Sequence, residues 1–214
     1  MPLTHVAFDV DGTLVDTEGM LVQALDRALA QTVGFSFPAE TLADACVGRT
    51  ETYTMEALGV PAERRSGLIR LWNDLCQEGR DGAQDVFDGV EGMLDALDAR
   101  GISHGIVTTR DAYLLDFDLG KAGVLPRFSP AVTAESTRRH KPEPDPLLRY
   151  LEMTGARAEE TLYVGDTAGD RACAHAAGVP FCLATWGTSR DVGAGGDPVA
   201  ASFDELIVLV DSLR

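Results

Sequence analysis

The chain has 214 residues, 45% of them hydrophobic, which is enough for one sizeable core or for a core with a smaller appended unit. A formal net charge of −16 argues against nonspecific binding to nucleic acid or to anionic membranes, because both need a basic surface to displace counterions. The same charge would repel an anionic substrate, so local cations or a bound metal would have to overcome it.

The amino terminus has no basic stretch leading into an apolar run, and no apolar run reaches membrane-spanning length. Cys46, Cys76, Cys173 and Cys182 lie among apolar neighbours without a CxxC pair. Reduced, buried thiols in a soluble cytoplasmic protein, with no membrane or nucleic-acid partner, are expected.

In chain order, the first apolar run is HVAFDV from His5, with the length and branched content of a buried strand. It opens into FDVDGTLVDT. Residues i and i+2 of an extended segment face the same way, so Asp9 and Asp11 can converge on one site, while Gly12 permits a tight turn. From Glu18 to Arg80 the pattern is helical throughout, in EGMLVQALDRALAQ, AETLADACVG, ETYTMEALG and AERRSGLIRLWNDLCQ, with glycine and proline breaks between them. A single crossover helix needs far less chain. Residues 18–80 are therefore expected to form a small helical unit, with Trp72 and the Leu and Met residues as its core. It would be inserted into a domain made of residues 1–17 and 81–214, through crossings near Val15 to Thr17 and in GRDGAQDVFDG. GVEGMLDALDARG then reads as the helix returning to a sheet. Further strands are expected in ISHGIVTT, PAVTA, ETLYVGD and VPFCLA, and further helices in DAYLLDFDLGKAG, DPLLRYLEMTG and SFDELIVLVDSLR. This alternation predicts an α/β fold, a doubly wound parallel sheet covered by helices.

Ligands of such sheets bind beyond the carboxyl ends of the strands. Asp9 and Asp11 close the first run, Thr108 and Thr109 the second, and Asp166 closes TLYVGD with Asp170 four residues on; Lys141 precedes PEPDPLLRYLE. Taken singly each is weak: DG is often only a turn, Thr108 could merely end a strand, Lys141 could be a surface residue and Asp166 a helix cap. Together, acids from different strands require a cation, and an all-oxygen site favours magnesium, which commonly also binds substrate phosphate. A carboxylate at Asp9 could attack phosphorus, and Asp11 could protonate the leaving oxygen and then accept a proton from water. Lys141, the Thr108 hydroxyl and the backbone amides around Val10 to Thr13 could neutralise the phosphoryl oxygens.

This ordered set resembles the haloacid dehalogenase superfamily, in its phosphoglycolate-phosphatase-like branch with a helical cap inserted after the first motif. DVDGT at Asp9 to Thr13, the threonine of IVTTR, the lysine of HKPEPDPLL and VGDTAGD correspond to its four motifs, and the likeness spans nearly the whole chain. The resemblance implies Asp9 as nucleophile, Asp11 as general acid and base, and Thr108 and Lys141 as phosphate ligands. It implies magnesium held by Asp9, the main-chain carbonyl of Asp11 and Asp166, with Asp170 supporting the metal's waters. Thr109 and Arg110 depart from the branch, which often has asparagine after the motif threonine. Dehalogenases of the superfamily lack a counterpart of Asp11, phosphonate-cleaving relatives need a cap lysine that residues 18–80 do not contain, and sugar phosphomutases usually have a histidine where Leu21 stands. Arg49, in VGRT, falls where related enzymes place a loop over the active site and could grip a second anionic group. Glu18 and Arg110 are further candidates for lining the cleft. His5, His104, His140 and His175 are expected to be structural or exposed, and Trp186 to pack near the site mouth or against the core. The expected protein is a magnesium-dependent phosphatase of small phosphorylated metabolites, a monomer or a homodimer. A phosphomutase is the nearer alternative, and a non-catalytic phosphate-binding protein the more distant one.

Overall fold

A computed structural model describes residues 2–47, 51–80, 86–187, 193 and 195–214. The chain divides into two compact units, Met1–Asp16 with Asp85–Arg214, and Thr17–Gln84.

The first unit is built on a six-stranded, all-parallel sheet in the order β3-β2-β1-β4-β5-β6, formed by β1 (His5–Phe8), β2 (Ser103–Val107), β3 (Ala131–Val132), β4 (Thr161–Gly165), β5 (Phe181–Ala184) and β6 (Val199–Ala200). The central strands are nearly continuous apolar runs because both of their faces are covered. Alternation along them sends successive side chains to opposite layers. Val6, Phe8, Ile106 and Val164 meet Leu94 and Leu97 of α5 (Val90–Ala99) and Leu206 and Val210 of α9 (Phe203–Ser212). Ala7, Val107 and Tyr163 meet Leu147 and Tyr150 of α7 (Asp145–Thr154) and Cys173 and Ala174 of α8 (Ala168–Ala177). Phe8 is in register with Ile106 on one side and Val164 on the other, so the chain winds outward in both directions from β1. The groups that follow β1, β2 and β4 thus end at one edge of the sheet, at the topological switch point where ligands of such folds bind.

The second unit holds α1 (Glu18–Thr32), α2 (Ala39–Cys46), α3 (Glu51–Ala57) and α4 (Ala62–Arg80) around its own core of Leu25, Leu29, Leu42, Met55, Leu68 and Trp72. The Trp72 indole donates to the Leu21 carbonyl at 3.1 Å, and the Thr54 hydroxyl to the Ala45 carbonyl at 2.9 Å, so these two polar groups of the core are bonded. The four cysteines are buried. Among the described residues no helix is long and apolar enough to cross a membrane.

The sheet's outer strand β6 was not anticipated, and helix α8, foreseen only as a helix entry capped by Asp166, is capped by Thr167 instead. DAYLLDFDLGKAG, expected to be one helix, is a short α6 (Ala112–Leu115) that widens into a π-type turn over Asp116–Gly120. The expected crossing in GRDGAQDVFDG lies partly outside the described residues.

Candidate active site

The segment after β1 is a tight loop folded back on one carbonyl. The Leu14 and Val15 amides donate to Val10 O at 2.8 and 3.0 Å, and the Gly12 amide to Val15 O at 2.9 Å. Gly12 has φ +70°, and a Cβ there would run into the Asp166 carboxylate, so the close approach of this loop to β4 needs glycine. The Thr13 hydroxyl donates to Asp166 Oδ1 at 3.3 Å, and the Trp186 indole N–H donates to Thr13 O at 2.8 Å, pinning the loop from the far end of the chain. Trp186 itself rests on Phe203, ring centroids 4.6 Å apart.

Behind that loop, Asp9, Asp166 and Asp170 are all buried, and each offers an oxygen within 4.8 Å of the others. Lys141 Nζ lies 2.8 Å from Asp9 Oδ1 and 2.5 Å from Asp170 Oδ1. Among the described residues one ammonium faces three carboxylates, more acid than Lys141 alone can compensate. Burial pushes the Asp9 carboxyl up to about 7, with Asp170 adding to the rise, Lys141 opposing it and Asp11 adding a smaller part. Burial likewise carries Asp166 well above the usual carboxylate range, reinforced by Asp170 and Asp9. For Lys141, burial works against the charge, but Asp170 and Asp9 outweigh it and the ammonium is held above its ordinary range.

The acids are not equivalent. Asp170 Oδ1 accepts from Lys141 and lies 3.0 Å from the Tyr163 hydroxyl, while its Oδ2 caps α8 by accepting from the Thr167 amide at 3.0 Å and the Thr167 hydroxyl at 2.5 Å. Gly165 makes room for this: a Cβ there would stand 2.7 Å from that of Asp170. Asp166, by contrast, is bonded only by Thr13 among the described residues. Asp9 and Asp166 therefore fit direct metal ligands, and Asp170 fits a group that orients its neighbours.

Asp11 stands apart from this cluster. Its two oxygens accept from Arg110 Nε at 2.8 Å and from an Arg110 Nη at 2.6 Å, a bidentate pair. The other Nη of Arg110 donates to Asp118, in the π-type turn. Burial opposes the Arg110 charge, and Asp11 first and Asp118 second raise it above its ordinary range.

Of the residues expected at the site, Asp9, Asp166, Asp170 and Lys141 are thus gathered, and Asp11 is close enough for its charge to act on Asp9. Thr108 is buried at the end of β2, its hydroxyl accepting from the Arg110 amide at 3.2 Å. Thr109 is exposed, and Arg49 lies outside the described residues. His140 and His175 are exposed, His104 is buried edge-on against Phe128, and His5 bonds the Thr4 hydroxyl at 2.8 Å. The sequence alone did not single out Tyr163, Asp118 or the side chain of Thr13. Tyr163 looked like one more apolar strand residue, yet its hydroxyl sits 3.2 Å from Lys141 Nζ and 2.9 Å from Val107 O.

The chain is similar to a phosphoglycolate phosphatase of Cupriavidus necator, with 32% identity over 219 aligned residues that cover 100% of this chain and 91% of that protein. A phosphoglycolate phosphatase of Yersinia pseudotuberculosis is 30% identical over 95% of this chain and 88% of its own. Among solved structures, a haloacid dehalogenase-like protein of Agrobacterium tumefaciens superposes with a TM-score of 0.84 over 98% of both chains at 24% identity, which is a likeness of fold. The sequence model of the haloacid dehalogenase-like hydrolases matches residues 6–184, from the start of β1 to the end of β5, and the chain belongs to that family.

Proposed function

We propose that the protein is a magnesium-dependent phosphatase of small organic phosphate monoesters that works through an aspartyl phosphate on Asp9. The observation that carries this reading is the buried cluster itself, in which Asp9 at a sheet switch point shares Lys141 with Asp170, Asp166 lies beside them, and no second cation pairs with the three acids among the described residues. A divalent, oxygen-preferring cation fits that excess of charge. Asp9 and Asp166 would hold it, with the main-chain carbonyl of Asp11 as the expected third ligand and Asp170 behind. When bound, magnesium supplies compensation for the charge of the carboxylates and of the phosphoryl oxygens.

The chain's own residues divide the rest of the work. An Asp9 oxygen attacks phosphorus, the bond from phosphorus to the ester oxygen breaks, and Asp11 gives that oxygen its proton. Water then attacks phosphorus, the Asp9–phosphorus linkage breaks, and Asp11 takes the proton from the water. The sum is ester plus water to alcohol plus phosphate. Lys141, held by two carboxylates, orients Asp9 and presents a fixed positive charge to the phosphoryl group. Thr108 contributes a hydroxyl from the neighbouring strand, and Thr109 is assigned a peripheral contact. Selection among substrates is assigned to the helical unit. The curated relatives' names support phosphoglycolate or a similar small phosphate as substrate. The burial of all four cysteines and the lack of a CxxC pair support a reducing, cytoplasmic setting.

The test is phosphate release from a panel containing phosphoglycolate, hexose phosphates, nucleotides and pyrophosphate, with and without magnesium, using Asp9→Asn as the blank. Magnesium-dependent release concentrated on one compound is expected. Isomerised sugar phosphate without free phosphate would replace this reading with a phosphomutase.

A further inference from the structure

Arg110 is where the site departs most from its expected pattern. Its side chain is 4% exposed and serves two carboxylates, Asp11 through a bidentate pair and Asp118 through the remaining Nη. Asp118 is 1% exposed, and its Oδ1 is buried without a hydrogen-bond partner among the described residues. One acid would neutralise a buried guanidinium. Two leave an excess negative charge around it, shared between the buried Asp118 and the partly exposed Asp11, which demands a reason.

We propose that Arg110 is a resting dock for the Asp11 carboxylate, from which Asp11 is released to the reacting phosphate, and that Asp118 is the counterion that stays behind. The inference rests on Asp11 being the proton-transfer group. While both its oxygens face one guanidinium, neither is turned to a leaving oxygen, so the resting arrangement has to open before the chemistry. A lone Arg–Asp pair would resist opening, because it would strand a buried cation. With Asp118 in place, departure of Asp11 leaves a neutral buried pair instead. The exposures fit this division: the Asp11 side chain is 37% exposed, against 4% for Arg110 and 1% for Asp118, so the member that moves is the one at the edge. The base of Arg110 is fixed from both sides, its amide donating to the Thr108 hydroxyl at 3.2 Å and its carbonyl accepting from the Ala134 amide at 2.8 Å. The turn that carries Asp118 is of the π type often found at functional positions. Arg110 and Asp118 are thus positioning residues that act through Asp11.

The experiment measures formation of phosphorylated Asp9 by rapid acid quench with magnesium present, using two substrates. One is an alkyl phosphate, whose leaving oxygen needs a proton; the other is p-nitrophenyl phosphate, whose leaving group departs without one. Asp11→Asn comes first: if it slows both substrates alike, the reading of Asp11 as the acid fails, whatever the dock does. Given a selective effect there, Asp118→Asn should tighten Asp11 on Arg110 and slow the alkyl reaction about tenfold, while changing the aryl reaction less than about twofold. Removing both buried charges while keeping volume, in Arg110→Met with Asp118→Leu, should return the alkyl rate to the wild-type level or above. Equal slowing of both substrates by Asp118→Asn, no slowing of either, or a double variant as slow as the single one would each overturn the dock. Should Asp118→Asn fail to fold, the double variant decides alone: a wild-type alkyl rate supports the dock, and a loss of tenfold or more overturns it.

Discussion

Lys141 and Asp9 form one ion pair, yet removing its two ends should have opposite consequences. Lys141 is the cation between two buried acids, so Lys141→Ala leaves Asp9 and Asp170 uncompensated beside Asp166. A loss of roughly 3–5 kcal/mol is expected, the usual result of stripping the partner from a buried charge. Asp9→Asn instead removes one of three crowded carboxylates and leaves Lys141 on Asp170. Its melting temperature in EDTA should match or exceed that of the parent, while turnover falls on the order of 10⁴-fold or more because the nucleophile is gone. Thermal unfolding of both variants in EDTA, beside their activity in magnesium, checks the pair. A Lys141→Ala protein within 1 kcal/mol of the parent, by the same rule for buried pairs, would mean that the cluster is solvated and its charges are screened.

The elements that carry these residues were legible to different degrees, for a physical reason. β1, β2 and β4 announce themselves as short branched apolar runs, and the acids and threonine that end them are local in sequence, so both the strands and Asp9, Thr108 and Asp166 could be found without coordinates. Contacts that depend on register or on distant closure leave no such trace. The Trp186 bond to Thr13 joins positions 173 apart, and the Tyr163 hydroxyl reaches Val107 only because β1 lies between β2 and β4. Asp118 left a fainter signal: an acid on the otherwise apolar side of DAYLLDFDLGKAG, where a straight helix would have buried it without a partner. If Trp186 serves as a strut for the nucleophile loop, Trp186→Phe keeps the stacking on Phe203 and loses one hydrogen bond. The expected results are a destabilisation of about 1 kcal/mol and a several-fold fall in kcat with little change in KM, since the loop places reacting groups. Steady-state kinetics and denaturant unfolding of this variant provide the check; a change confined to KM would move Trp186 from the loop's support to substrate binding. Tyr163→Phe should act through the other wall, weakening the hold on Lys141 and Asp170 and raising the magnesium concentration needed for half-maximal activity.

For the whole molecule, the metal and the net charge pull in related directions. A cation that binds the folded carboxylate cluster and not the unfolded chain stabilises by mass action, about 2.7 kcal/mol at a hundredfold excess over Kd. For a chain of this size that raises the melting temperature by roughly 5–10 °C. Magnesium should therefore lift the melting temperature of the parent and do so far less for Asp166→Asn, independently of any turnover. The formal net charge of the whole chain, −16, opposes the approach of a phosphate dianion. At low ionic strength that field reaches well beyond the molecular surface, whereas at about 0.15 M salt it is screened within roughly 8 Å. The attraction of Lys141 and a bound magnesium for the phosphoryl group acts at contact inside a buried site and is screened far less. Raising potassium chloride from about 10 to 150 mM at saturating magnesium should thus increase kcat/KM for the dianionic substrate by about two- to fivefold and leave kcat nearly unchanged. Stopped-flow or initial-rate measurements across that range decide it. A fall in kcat/KM with salt would mean that the mouth of the site carries a positive potential strong enough to steer the substrate against the acidic surface around it.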